Sequence, residues 1–200
     1  MGKSHDIATI AADGLEVDTI KNTSGITGLT IDSGGRVLPS IPAFRADRTS
    51  ATDWTTGGGT GNLVTFNHTD GSGGTGDHSY NNGFNLSTIG TTGKVSPPVD
   101  GIYHIKASFL LNGNNSASTA YVSINKNGTA TAGNTMGQNI YNTFATNAYW
   151  TIQANCSLSL TTSDFFGIGK NDNFKYWANG VGVHANYGYN FVECRLISTI

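Results

Sequence analysis

The sequence predicts an all-β protein, an antiparallel sandwich or jelly roll of eight to ten strands, and three observations carry that prediction. Apolar and polar residues alternate with period two through several segments, the pattern of strands with one face in a core. No amphipathic stretch of helical period and useful length occurs. Short strand-like runs are separated by Gly-, Asn- and Asp-rich turns, the punctuation of sandwiches and jelly rolls. The clearest alternation runs from Trp150 to Leu160, where Trp150, Ile152, Ala154, Cys156, Leu158 and Leu160 face one way. Thr151, Gln153, Asn155, Ser157 and Ser159 face the other.

Further strands read along the chain in order. Residues 1–41 hold only brief apolar runs, ATIAA, LEVDTI and GLTIDSGGRVL, broken by turn residues, and Pro39 and Pro42 bracket their end. Runs this short do not bury a core, since even a whole hairpin is marginal in water. They read as an arm or stalk that orders against partners, and residues 42–200 as the compact domain. In that domain PAFRADRTS and NLVTFNHTD are expected strands, followed by a Gly/Ser/Thr/Asp loop between Asp70 and Asn82. The segment SPPVDGIYHIKASFLLN follows. There Tyr103, Ile105, Ala107, Phe109 and Leu111 alternate with His104, Lys106 and Ser108, and Pro97 and Pro98, lacking amide donors, limit where the strand begins. AYVSINKNGTATA carries the hairpin-turn signal Asn127-Gly128. DFFGIGK, GVGVHAN and NFVECRLIS complete the set.

Composition narrows function. Charged residues make up 12% of 200, about half the ~25% of an ordinary soluble domain, so little charge is available to solvate a large monomeric surface. A net charge of −2 offers no footprint for nucleic acid or an anionic membrane. The amino terminus lacks the continuous apolar stretch of a signal peptide, and no segment approaches ~20 apolar residues, so neither secretion nor membrane insertion is expected. Two cysteines, Cys156 and Cys194, on the apolar sides of their strands, read as buried free thiols. Triplets of the Asn-x-Ser/Thr form at Asn67, Asn127 and Asn155 are unremarkable in so Asn- and Thr-rich a chain.

Residues for chemistry are sparse. Gly71 to Gly76 satisfies G-x-G-x-x-G, but Asp77-His78-Ser79-Tyr80-Asn81-Asn82 follows where a dinucleotide site needs a helix. His68, Asp70, Asp77 and His78 gather around one loop, where Asp70 and Asp77 with backbone carbonyls offer a cation only a loose site. No G-x-S-x-G elbow or recognisable pair of catalytic acids appears, so no enzyme and no cofactor are expected. The aromatic residues say more. Phe174, Tyr176 and Trp177 lie in KNDNFKYWANG, and Tyr141, Phe144 and Tyr149 in another long connection. Rings with polar handles in such places suit subunit contacts, or stacking on sugars whose hydroxyls Asn side chains bind.

Strand order and punctuation from Pro42 to Ser198 resemble a known family. The residues that carry the likeness are Pro42-Ala43-Phe44-Arg45-Ala46, Leu63-Val64-Thr65-Phe66-Asn67, and Tyr80 with Phe84-Asn85. The run Gly93-Lys94-Val95-Ser96-Pro97-Pro98-Val99-Asp100-Gly101-Ile102-Tyr103 is the most specific piece, and Leu158 to Leu160, Asp164 and Phe191 to Ile197 complete the match. On these residues the domain resembles the globular head of complement C1q and tumour-necrosis-factor-like proteins. The resemblance implies a ten-stranded antiparallel jelly roll that assembles as a homotrimer, with the strand after Gly101 in the sheet facing the three-fold axis. Tyr103, Phe109, Trp150 and Phe191 are the expected core or trimer contacts. Val95 stands where the family usually has Phe, Glu193-Cys194 replaces its usual small and aromatic pair, and collagen-like repeats are absent.

The leader LEVDTIKNTSGITGLTIDSGGRVLPSIPAFRA is instead similar to segments that introduce such heads in virion proteins of tailed bacteriophages. The expected function is therefore a non-enzymatic structural protein of the virion, assembled in the host cytoplasm. It would be a trimeric head on an arm, residues 1–41, that docks to other virion proteins. Phe174, Tyr176, Trp177, Tyr141 and Phe144 would recognise a host-surface glycan. The alternatives are a capsid decoration trimer that stabilises the shell and a secreted head that binds protein ligands.

Overall fold

The computed structural model describes residues 19–21, 27–31, 37–39, 41–48, 63–71, 78–112, 120–128, 135–141, 149–170 and 189–200. The chain divides into two compact units, Met1–Ile41 and Pro42–Ile200. In the first, β1 (Thr19–Lys21), β2 (Thr27–Ile31) and β3 (Val37–Pro39) form an antiparallel sheet in the order β1-β2-β3.

The second unit is built from β4 (Ala43–Asp47), β5 (Tyr80–Asn82), β6 (Gly101–Asn112), β7 (Ala120–Lys126), β8 (Thr135–Tyr141), β9 (Tyr149–Leu160), β10 (Phe166–Lys170) and β11 (Phe191–Thr199). They form two antiparallel sheets, one of five strands in the order β5-β4-β11-β6-β9 and one of three in the order β10-β7-β8. No helix occurs among the described residues. One apolar cluster draws on both sheets, with Phe44, Tyr103, Ile105, Phe109 and Val192 from the larger and Val122, Ile124, Phe166 and Ile168 from the smaller. The rings of Phe44 and Phe166 stack across the interior at 6.2 Å. Two antiparallel sheets sharing one core are consistent with a β-sandwich.

Alternation explains why β6 and β9 pair so extensively. Their register is unbroken from Gly101↔Leu160 to Asn112↔Tyr149. The core-facing apolar residues of the two strands therefore meet: Tyr103 with Leu158, Ile105 with Cys156, Ala107 with Ala154, Phe109 with Ile152. Tyr103 is fully buried, and its phenol donates to Val99 O at 2.7 Å, so the chain leaving Pro97 and Pro98 is pinned just before β6 starts.

Three expectations change. NLVTFNHTD is not a regular strand. Leu63 bridges Gly169 beside the small sheet and His68 bridges Asp47 beside the large one, so this segment passes between sheets within six residues. Val64 and Phe66 still reach the core. Asn127-Gly128 does not make a two-residue hairpin either, because β8 resumes only at Thr135, opposite Asn125. Asn127 does adopt the left-handed conformation, with φ 54°, but its side chain turns to Asp164 and to the Phe165 amide. Finally, TMGQNIY is strand β8, although its sequence alternates poorly. A Cβ on Gly137 would lie 2.9 Å from Asn155 O, so the missing side chain is what lets β8 approach β9 of the other sheet.

Asp164 ties that end of the sandwich together. Its carboxylate accepts from the Thr161 amide (2.7 Å), the Thr161 hydroxyl (3.0 Å) and Asn127 Nδ2 (2.5 Å), and pairs with Lys126 Nζ at 3.0 Å. Lys126 also donates to Ser159 O at 2.7 Å, joining the small sheet to β9. The Thr161 amide first, then the Asn127 amide and the Lys126 ammonium, hold the Asp164 carboxyl well below the usual carboxylate range. A lowered folded-state value stabilises the fold above the ordinary value near 3.8, and that contribution is lost as pH falls below it. Asp164→Asn should therefore melt earlier than the parent at pH 7, with the gap narrowing below about pH 4. Thermal melts at pH 7, 4 and 2.5 check this, and a constant gap would contradict it.

Cys194 and Cys156 both pair with Ile105, from opposite sides of β6. Two strand spacings separate their backbones by roughly 9–10 Å, beyond the ~7 Å that a disulfide spans. Both are free thiols, and burial pushes them up, Cys156 to about 11, so neither is a reactive thiolate near neutrality.

Candidate functional site

The inner face of the five-stranded sheet is used up by the core, which leaves its outer face as an organised surface among the described residues. Register defines its rows. Tyr80 stands opposite Arg45, Arg45 opposite Glu193, Glu193 opposite Lys106, and Lys106 opposite Asn155, one row across all five strands. A second row contains Asn82, Ala43, Arg195, His104 and Ser157. A third contains Asp47, Phe191, Ser108 and Gln153.

The charges on this face are organised around a ring. Phe191 is 8% exposed and lies outside the core cluster. The Arg45 guanidinium sits 3.9 Å from its centroid and the Lys106 ammonium 5.4 Å, so cations flank its π-face. Each cation has a carboxylate: Arg45 Nε meets Asp47 Oδ1 at 2.8 Å, and Lys106 Nζ meets Glu193 Oε1 at 3.5 Å. Asp47 is fully buried, and its other oxygen accepts the His78 amide at 3.1 Å. Tyr80, at the sheet edge, has its phenol pushed up by burial and then by the Glu193 charge. His104 Nδ1 and Ser157 Oγ stand 3.4 Å apart in the open, longer than the about 2.6–3.2 Å expected of a base-activated nucleophile.

Along β9 the outward residues Thr151, Gln153, Asn155, Ser157 and Ser159 are exposed and uncharged. Near the Gly101 end, Ile102 and Ile197 add apolar surface at 36% and 56% exposure. Ile197 occupies the irregularity between Leu196 and Ser198, an extra residue that re-aims the end of β11. The face carries the Arg45–Asp47 and Lys106–Glu193 pairs, small polar groups and an apolar end. Such a composition suits a protein contact more than a substrate pocket.

The structure separates the residues expected in the site. Tyr103 and Phe109 are fully buried in the core, not on the outer face. Phe191 belongs to the outer face, and Trp150 pairs with Leu111 near the start of β9. Tyr141, expected in a long connection, is the last residue of β8, opposite Ala120, and Tyr149 opens β9 opposite Asn112. Phe144, Phe174, Tyr176, Trp177 and Asp77, and the GVGVHAN segment, lie outside the described residues. The strand ends that flank these aromatic residues share one end of the domain. Asn112 pairs with Tyr149 there and Ala120 with Tyr141, while Lys126 reaches Ser159 at the opposite end. Asp70 is exposed, and His68 and His78 meet Asp47 through their backbones. Among the described residues no group of three or more His, Cys, Asp or Glu could hold a metal.

Sequence reasoning missed Arg45, Glu193, Arg195 and Tyr80 as members of one surface. The signal available was alternation in FVECRLI, which sets Glu193 and Arg195 opposite Cys194; nothing local says that β4 and β6 flank that strand. No family model matches the chain, and no curated protein matches it significantly.

Proposed function

We propose that the chain is a non-enzymatic structural protein of a bacteriophage virion, a C1q/TNF-like jelly-roll head that trimerises through the outer face of its five-stranded sheet. The observation that carries this reading is the position of β6. The strand introduced by Pro97-Pro98-Val99-Asp100-Gly101-Ile102-Tyr103 lies between β11 and β9, in the sheet whose outer face is free of the core. The winding supports a jelly roll: after β6, only the β7–β8 connection stays in one sheet, and the others pass between sheets. The area supports self-association. Strands of these lengths present on the order of 700 Å² of sheet, against the roughly 800 Å² per partner of a specific interface. In a chain with 12% charged residues, pairing its charges across such a face leaves a surface suited to burial between copies.

In this reading residues 1–41 dock the head to other virion proteins. Phe144, Phe174, Tyr176 and Trp177, in segments joined to one end of the domain, recognise a host-surface glycan. Three weak sites per trimer, and several trimers per particle, supply the grip through avidity.

Sedimentation of the purified chain tests the assembly. Three chains per particle are expected at micromolar concentration, and a monomer would refute the reading. Ser157→Arg, an exposed change on the outer face, should release monomers that keep their sheets. Adsorption tests recognition. Trp177→Ala should weaken virion adsorption to cells while leaving trimers intact, each lost ring contact being worth about 0.5–1.5 kcal/mol before avidity multiplies it. Normal adsorption with shells that break at lower temperature would favour the capsid-decoration alternative.

A further inference from the structure

Charge is unevenly settled on the outer face of the large sheet. Arg45 and Lys106 each have a carboxylate of their own chain, Asp47 and Glu193. Arg195 is exposed and has no such partner among the described residues, although it stands in the same sheet, between Ala43 and His104. Asp100 is its counterpart. It is exposed just before β6, and one of its oxygens accepts the Thr162 amide at 2.7 Å, but no cation among the described residues pairs with it. Asp100 precedes His104, the residue opposite Arg195, by four positions, so roughly 13 Å of strand separates the two charges within one chain. An ion pair closes only within about 4 Å, so the two do not satisfy each other.

The surface beside them is apolar. Val99, Ile102 and Ile197 are 38%, 36% and 56% exposed, and Ile102 pairs with Ser198, the residue after Ile197. Covering such side chains is favourable, but covering a lone guanidinium or carboxylate leaves its lost hydration uncompensated. Whatever covers this corner therefore has to bring a carboxylate to Arg195 and a cation to Asp100. A second copy of the chain brings both. Contacts around a three-fold ring are heterologous, one patch of each copy meeting a different patch of the next, so charges kept apart within a chain are free to meet between chains.

We propose that Arg195 of one copy pairs with Asp100 of the next around the trimer, with Val99, Ile102 and Ile197 packed beside the pair. The contact then fixes which way round the copies dock, because the reversed pairing sets like charges together. The inference rests on the trimeric reading of the outer face.

A double-mutant cycle on the full chain tests it. Arg195→Gln and Asp100→Asn remove the charges and keep polar side chains, and Asn retains an oxygen for the Thr162 amide. Sedimentation over a dilution series, in urea that half-dissociates the parent, reads the trimer association constant. Each single change should lower it at least about tenfold, since three pairs are lost per trimer, and the double variant should be no weaker than either single one. Arg195→Lys keeps the charge and should recover most of the loss. A trimeric parent whose single variants associate as it does, or whose losses add in the double variant, overturns the pair and leaves the trimeric reading standing. A parent that sediments as a monomer without urea overturns both.

Discussion

Phe44→Ala should lower the unfolding free energy of the second unit by about 3–5 kcal/mol, the range for an aromatic truncated in a packed core. Phe44 is fully buried on β4, and its ring makes an edge contact with Phe84 at 4.8 Å and a stacked one with Phe166 at 6.2 Å. Those partners connect the large sheet to the loop before β6 and to β10 of the small sheet, so the cavity would open between layers. For a domain of this size the loss amounts to on the order of 10 °C in melting temperature. Denaturant titration of parent and variant at equal chain concentration checks it, because an assembling protein gains apparent stability with concentration. A change under 1 kcal/mol would mean that the two layers do not share the core described.

Gly93→Ala should cost about 3 kcal/mol, although it adds one methyl group. Gly93 has φ +69°, a conformation that costs a residue with a Cβ about 1–2 kcal/mol. The added Cβ would also collide with the carbonyl oxygen of Val64 and stand 2.9 Å from Leu63 Cβ. Backbone cannot swing aside as a side-chain tip can, and overpacking of this kind costs about 1–3 kcal/mol more. Gly83→Ala separates the two effects. Gly83 has φ +86°, but its nearest neighbour, Pro42 Cβ, is 4.0 Å away, so only the conformational cost applies. Chemical denaturation of both variants should show Gly93→Ala the more damaging, and equal losses would dismiss the steric component.

The two glycines also illustrate what could be read without tertiary structure. Both lie between NLVTFNHTD and the strand after Gly101, outside every run expected to be a strand. Which of them faces a backbone carbonyl follows from how Leu63 and Val64 are laid beside β10, about 100 residues further along the chain. The same division holds for the surface proposed to carry function. That His104, Lys106 and Ser108 oppose the core side of β6 was legible, as was the uncharged outward row of β9, because side-chain direction along a strand is a local property with period two.

What the sequence determined by itself is therefore the all-β class, the two faces of its long strands, and the inward direction of Cys156 and Cys194. Each of these follows from alternation or turn chemistry within a dozen residues. Tertiary structure alone decided which strands are neighbours. Arg45, Glu193 and Lys106 come from three remote segments and become one row only because β4, β11 and β6 pair in register. Phe191 shares the outward parity of Glu193 and Arg195, but only the pairing of β11 with β4 and β6 brings the two cations that cover it. TMGQNIY reads as a connection until Gly137 is seen to admit β9, and NLVTFNHTD reads as a strand until its ends are seen to bridge different sheets. The physical reason is common to all four. Hydrogen-bond pairing and close packing depend on residues distant in sequence, and no local pattern encodes the partner.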